Sequence, residues 1–306
     1  MGPTTMDTAP MPSDSAEPIG IVGLGLVGRA MASRLLLAGH RVYGYDISPV
    51  ARAEAKAVGV AVLDDAAAVA RAANTILLSL MTSDDRRALC WGPQDFAGAL
   101  PSGATILDTT TAEPDDIVAD AARLAARGVR LVDVCLSGSS AVIAGGQALA
   151  LVGASKSSAN FEWAVAPFTK ACHFFGHPGA GNRAKLVVNL VFGLNRLVLA
   201  EALGLARKGG FDLPTILEVL RAGETHSVVM DTKGPRMIAG TYEPAVARLG
   251  QHAKDVHLIR AFARGIGAAT PLSDIHAQII DSLVARGCGD LDNAAIFKAF
   301  DEPEDA

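Results

Sequence analysis

Basic patches, paired cysteines and aromatic residues are all scarce in this chain, and each shortage removes a class of function. Lys and Arg total 27 against 32 Asp and Glu, a net charge of −5, so there is no electrostatic footprint for a nucleic-acid partner. The four cysteines (Cys90, Cys135, Cys172, Cys288) lie far apart with no CxxC pair. That spacing argues against a zinc knuckle or a dithiol redox motif and suits free thiols in a reducing cytoplasm. Residues 1–18 carry three acids and no Lys or Arg, without the basic start and apolar block of a secretion signal. They read as a disordered tail. The most membrane-like stretch, Leu186 to Ala206, contains Asn189, Asn195, Arg196 and Glu201. Those groups are costly in lipid, so a buried helix is expected and no membrane partner.

What remains is apolar and glycine-rich. Half of the 306 residues are hydrophobic and 31 are Gly, enough chain for two domains with sizeable cores. The expected architecture is α/β: a doubly wound Rossmann-type sheet over 19–178, then an all-helical domain over 179–306, joined by a long helix over about 181–208. Ile19-Gly20-Ile21-Val22 reads as a strand, followed at once by Gly23-Leu24-Gly25-Leu26-Val27-Gly28 and a helix from Arg29 to Ala38. Arg41 to Tyr45 is a second strand that ends at Asp46. A GxGxxG alone is a weak signal. Between strand and helix, with an acid about 20 residues on, it specifies a dinucleotide site. Gly23 permits the turn, Gly25 the approach of a pyrophosphate, and Gly28 close helix–strand packing. Asp46 can accept from both ribose hydroxyls and would repel a 2′-phosphate, which favours NAD; Arg41 and Arg52 nearby leave NADP open.

The alternation continues. Asp64 to Ala72 reads as a helix, Thr75 to Leu80 as a strand, Met81 to Asp84 as a loop, and Ala104 to Asp108 as a strand ending in Thr109-Thr110-Thr111. Glu113 to Arg127 is helical, and Val129 to Val134, Ala148 to Val152 and Cys172 to Phe175 are strands. Ligands bind outside the carboxyl ends of such strands, which brings the loops at Leu80-Met81, Thr109 to Thr111 and Leu136 to Ser140 to one edge. Beyond the long helix, Leu213 to Ala222, Val228 to Ala239, Leu249 to Ala263, Thr270 to Ala285 and Asn293 to Phe300 have helical spacing, with glycines as stops. A helical domain fed by one long helix often packs on its twin, so a homodimer or homotetramer is expected.

The long helix opens with Gly179-Ala180-Gly181-Asn182-Arg183-Ala184-Lys185, and Asn189 follows one turn later on the same face. At about 27 residues it would span about 40 Å. Four blocks now align in order, and together they resemble the β-hydroxyacid dehydrogenases, a family that includes 3-hydroxyisobutyrate, tartronate semialdehyde and L-threonate enzymes. They are Gly23 to Gly28; Asp133-Val134-Cys135-Leu136-Ser137-Gly138-Ser139, similar to DAPVSGG; Gly179 through Lys185 to Asn189, matching GxGxxxKxxxN; and Lys254-Asp255-Val256-His257-Leu258, similar to KDLxL.

The resemblance implies an NAD(P)-dependent dehydrogenase or reductase acting on a small β-hydroxy acid. Lys185 takes the position of the family's proton-transferring lysine and Asn189 that of its substrate-orienting partner. An alkoxide-like oxygen develops as hydride moves, and a fixed ammonium both stabilises and protonates it. Ser137, Gly138 and Ser139 take the substrate-carboxylate positions. Leu26, Val27, Leu80, Met81, Thr111 and Lys254 take cofactor positions. Ser139 stands where the family has a second Gly, Cys135 where it has Pro, and Val142 and Ile143 where it has Gly and Ala, which is expected to reshape the pocket. Alternatives from other classes are an imine or short-aldehyde reductase on the same scaffold and a non-catalytic dinucleotide-binding protein. His173, His177, His252 and His257 show no ligand spacing with nearby acids, so no metal is assigned. Arg196 and Glu201 read as packing or interface residues, and Asp255 as a brace for Lys254.

Overall fold

A computed structural model of the chain describes residues 17–158 and 160–301; most of the expected N-terminal tail lies outside them. The chain forms two compact units, residues 1–110 with 115–181 and residues 111–114 with 182–306. The division falls three residues after the sequence boundary and assigns the short Thr111–Pro114 stretch to the helical unit.

The first unit alternates strand and helix. In order these are β1 (Ile19–Val22), α1 (Leu26–Leu37), β2 (Val42–Tyr45), α2 (Pro49–Ala57), β3 (Ala61–Val62), α3 (Ala66–Ala72), β4 (Thr75–Leu78), α4 (Ser83–Trp91) and α5 (Phe96–Ala99). They continue with β5 (Thr105–Asp108), α6 (Pro114–Ala125), β6 (Arg130–Ser137), α7 (Ser140–Ala144), β7 (Ala148–Val152), α8 (Glu162–Val165) and β8 (Thr169–Phe174). One eight-stranded sheet results, in the order β3-β2-β1-β4-β5-β6-β7-β8. It is parallel except where β7 runs antiparallel to β6, an arrangement the apolar runs alone did not specify. The order reverses about β1, so crossovers leave in both directions and helices cover both faces. Val22, Ile76, Leu78 and Ile106 pack one face, Ile19, Ile21, Leu77 and Leu107 the other. Central strands of this kind are therefore continuous apolar runs rather than alternating ones.

Several boundaries differ from the sequence reading: β4 ends at Leu78 rather than Leu80 and α1 begins at Leu26 rather than Arg29, and two further differences bear on the site. Ser83 and Asp84 belong to α4 rather than a loop, because Thr82 accepts the Asp85 N–H and caps the helix, with two acids in its first turn. Strand β6 runs to Ser137, which places the serine at the strand's carboxyl end.

The second unit follows α9 (Ala180–Lys208), a 29-residue helix. Then come α10 (Leu213–Ala222), α11 (Val228–Thr232), α12 (Gly234–Ala239), α13 (Leu249–Gly265), α14 (Pro271–Leu283), a 3-10 stretch Asn293–Phe297 and α15 (Lys298–Asp301). The single helix expected from Val228 to Ala239 is two, because Pro235 sits in the first turn of α12 and starts a new one. Leu197, Ala200 and Leu203 of α9 pack with Leu217, Met237, Leu249, Ile280 and Phe297. Length and hydropathy alone would let α9 cross a membrane, yet one of its faces is the core of this unit.

Candidate active site

In the first unit the expected nucleotide elements share the carboxyl edge of the sheet. Helix α1 starts at Gly25, whose backbone is extended and whose missing side chain leaves open space; no side chain caps the helix. Its first N–H groups are thereby available to an anion. A Cβ on Gly28 would overlap the Gly23 carbonyl oxygen, and Gly23 itself has φ +94° against the backbone of Ser79. Asp46 closes the cradle: Oδ2 accepts from Leu24 N–H at 2.6 Å and Oδ1 from Ser48 N–H at 2.8 Å. An uncapped helix start, a glycine with room in front of it and a carboxylate fixed at the tip of β2 fit a dinucleotide. Leu26 is exposed and Val27 partly buried on the first turn of α1.

The strand-end loops are tied to one another. Thr110 Oγ1 accepts from Leu80 N–H at 3.2 Å, and Asp108 Oδ1 accepts from Thr110 N–H at 2.9 Å. Asp108 also accepts from Arg86 Nη1 at 3.0 Å, while Arg86 Nε donates to Asp120 at 3.0 Å. Arg86 and Asp108 are completely buried, so this ion cluster is a fixed support beneath the loop. The same surroundings push the Cys90 thiol up to about 12, chiefly by burial and then by Asp120 and Asp108, so it is an inert thiol. Sequence reading missed this cluster, because 22 and 34 residues separate Arg86 from its partners and no local pattern marks it.

The second and third motif blocks meet through a buried carboxylate. Asp133, in the middle of β6, accepts from Gly179 N–H at 2.9 Å. Cβ atoms on Gly153 or Gly181 would run into its oxygens. Gly153 after β7 and Gly181 in the first turn of α9 thus make room for an acid at the positive end of the long helix. At the end of β6, Gly138 has φ +147°, and a Cβ there would meet Val142 Cγ1 at 2.8 Å. Ser139 is the N-cap of α7, its Oγ accepting from Val142 N–H. The departures from the family pattern are therefore largely structural: Ser139 caps, Val142 packs on Gly138, and Ile143 is a core residue.

The helical unit carries the other expected residues. Lys185 and Asn189 lie one turn apart on α9, both partly exposed. Asn189 Nδ2 donates to Asp255 Oδ2 at 3.0 Å. Lys254 Nζ stands 3.2 Å from Asp255 Oδ1 and donates to the Thr111 carbonyl at 2.8 Å. Asn182 Oδ1, fully buried, accepts from Ala112 N–H at 2.8 Å. Thr111, Asn189 and Lys254 therefore belong to one hydrogen-bonded group with Asp255 at its centre. His226 Nε2 is 2.8 Å from Asp231 on the surface.

Known family models match segments in both units. Residues 18–173 match the model described as the NAD binding domain of 6-phosphogluconate dehydrogenase. Residues 179–300 match that described as the NAD-binding domain of NADP-dependent 3-hydroxyisobutyrate dehydrogenase. The chain belongs to the β-hydroxyacid dehydrogenase family. This β-hydroxyacid dehydrogenase is an oxidoreductase with a nicotinamide cofactor and a small-molecule substrate. It is 29% identical to 2-(hydroxymethyl)glutarate dehydrogenase of Eubacterium barkeri over 93% of this chain and 95% of the relative. It is 26% identical to 2-hydroxy-3-oxopropionate reductase of Escherichia coli (strain K12), over 92% and 97%. The solved structure of Mycobacterium tuberculosis 3-hydroxyisobutyrate dehydrogenase with L-serine superposes with a TM-score of 0.82 at 25% identity, covering 94% of this chain and all of that one.

Proposed function

We propose that this dehydrogenase interconverts a small β-hydroxy acid and its semialdehyde or keto acid, with Lys185 as general acid/base and NAD as the preferred cofactor. The observation that carries the reading is the Lys185–Asn189 pair on one face of α9, with the Asn189 amide held by Asp255. The nicotinamide, when bound, supplies or accepts the hydride. Lys185 gives a proton to the oxygen that becomes a hydroxyl, or takes it in the reverse direction. Asn189, fixed by Asp255, orients that oxygen; Lys254, which donates to the Thr111 carbonyl, and Thr111 would help to hold the cofactor. Ser137 and the Gly138 backbone anchor the substrate carboxylate. Ser139 accepts from Val142 N–H and keeps its own O–H to donate there.

The NAD preference rests on Asp46, a fixed carboxylate where a 2′-phosphate would lie. Arg52 donates from Nη1 to the backbone carbonyl of Asp46 at 2.6 Å, so it is held by local backbone beside the ribose position. The 2-(hydroxymethyl)glutarate and 2-hydroxy-3-oxopropionate relatives set the substrate class to screen. The enzyme works in the cytoplasm without membrane or nucleic acid. A homodimer is supported by exposed Val187, Val191, Val198 and Leu205, which lie on one stripe of α9 with near-heptad spacing.

A turnover screen tests this reading. Semialdehyde and hydroxy acids should give nicotinamide absorbance changes, faster with NAD(H) than with NADP(H), while cyclic imines should not. Turnover of imines alone would replace it with the imine-reductase reading.

A further inference from the structure

We propose that the interior of the helical unit holds one small monovalent anion of halide size, bound by Arg196 between α9, α13 and α14. Arg196 is 1% exposed, and both its Nε and its Nη1 lack a hydrogen-bond partner. The ring of Phe192, one turn back on α9, lies with its centroid 5.1 Å from Arg196 Cζ. A guanidinium does not shed its proton at neutral pH, even though burial lowers this one to about 10. The charge therefore stays, and an unpaired buried charge costs several kcal/mol.

The surrounding groups do not answer it. From α13 comes His252 and from α14 His276, their Nε2 atoms 3.3 Å apart. Both rings lie against Gly193 of α9, where a Cβ would meet His252 Cε1 at 2.8 Å and His276 Cε1 at 3.2 Å. The carboxylates that act on Arg196 are Asp292 and Asp255; neither hydrogen-bonds to it, and Asp255 Oδ1 itself has no hydrogen-bond partner, only an ion pair to Lys254 at 3.2 Å. Asp292 accepts from Lys233 Nζ at 2.8 and 3.0 Å and from the N–H groups of Val246 and Ala294, with Arg236 at 4.0 Å. Asp255 is held by Asn189 and Lys254. The two acids are thus shared among Arg196, Lys233, Arg236 and Lys254, an excess of positive charge around a buried guanidinium. Water would satisfy the two N–H groups and leave the charge; a halide accepts from both and answers the charge.

The test does not depend on turnover. Crystals of the full chain grown without chloride and soaked in low-millimolar bromide should show one anomalous peak within hydrogen-bond reach of Arg196 Nε and Nη1. In solution, at constant ionic strength, replacing gluconate by chloride should raise the melting temperature of the wild type. A hundredfold excess over the dissociation constant lowers the unfolded fraction about a hundredfold. Arg196→Met should lose both the peak and the chloride response. Density of water alone at Arg196, a wild type indifferent to chloride, or a full response in Arg196→Met would each overturn the proposal. Should Arg196→Met fail to fold, the wild-type peak and chloride response decide it.

Discussion

Acid should weaken the helical unit of this dehydrogenase well above the pH at which carboxylates titrate, and the His252–His276 pair is the reason. Burial first, then Arg196, lowers His276 from 6.5 to about 4. Burial, then Arg196, His276 and Lys233, takes His252 well below its ordinary value. Both groups are neutral in the folded state and protonate more readily when unfolded. Their contribution is therefore complete above about pH 6.5 and is lost as pH falls from there toward about 4. At 1.36 kcal/mol per pH unit, His276 alone accounts for about 2 kcal/mol between pH 6.5 and 5, a window where free Asp and Glu hardly titrate. His252 adds to the loss. Against a total stability of typically about 5–15 kcal/mol this is a large fraction. Urea midpoints measured at half-unit steps from pH 8 to 5 would show the decline in the wild type. The His252→Gln, His276→Gln double variant should be nearly flat over the same range. An equal decline in that variant would refute the reasoning.

Three further outcomes follow from the site. Gly28→Ala places a Cβ against the Gly23 carbonyl, so it should cost about 1–3 kcal/mol and abolish NADH binding, read by melting temperature and by quenching of nicotinamide fluorescence on titration. Asp46→Ala removes the fixed carboxylate at the tip of β2, and the ratio of kcat/KM for NADPH over NADH should rise about tenfold, a change of about 1.4 kcal/mol. Asp255→Ala frees the Asn189 amide and Lys254 together; kcat should fall about 100-fold through misorientation, with the substrate KM changing far less.

The parts of this account that were readable in sequence are the ones with local signatures. Strand–GxGxxG–helix and the acid at Asp46 are a contiguous pattern, and α9 declared itself by an apolar run of about 27 residues without proline, closed by Gly209-Gly210. Helical periodicity puts Lys185 and Asn189 on one face, while the roles proposed for them come from the resemblance of Gly179 to Asn189 to the family's GxGxxxKxxxN block. What stayed hidden is long-range pairing. Asp255 is 66 residues from Asn189, and Asp133 is 46 from Gly179, so no spacing announces either bond. The reversal of β7 was equally invisible, since a buried strand has the same apolar run in either direction. Ser139 looked like a pocket change and proved to be a helix cap as well, because a Ser in that place serves α7 whatever lies beside it. Arg196, expected only to pack, lies inside the core with two N–H groups unanswered, which composition cannot reveal.

The central claim is that Lys185 moves the proton while the rest of the enzyme binds cofactor and substrate around it. Steady-state turnover of Lys185→Ala with the best hydroxy acid from the screen, paired with an NADH titration of the same variant, tests it most directly. The account predicts a loss of kcat of at least about 1,000-fold with NADH affinity within a few-fold of wild type. Turnover near the wild-type rate in that variant would contradict it.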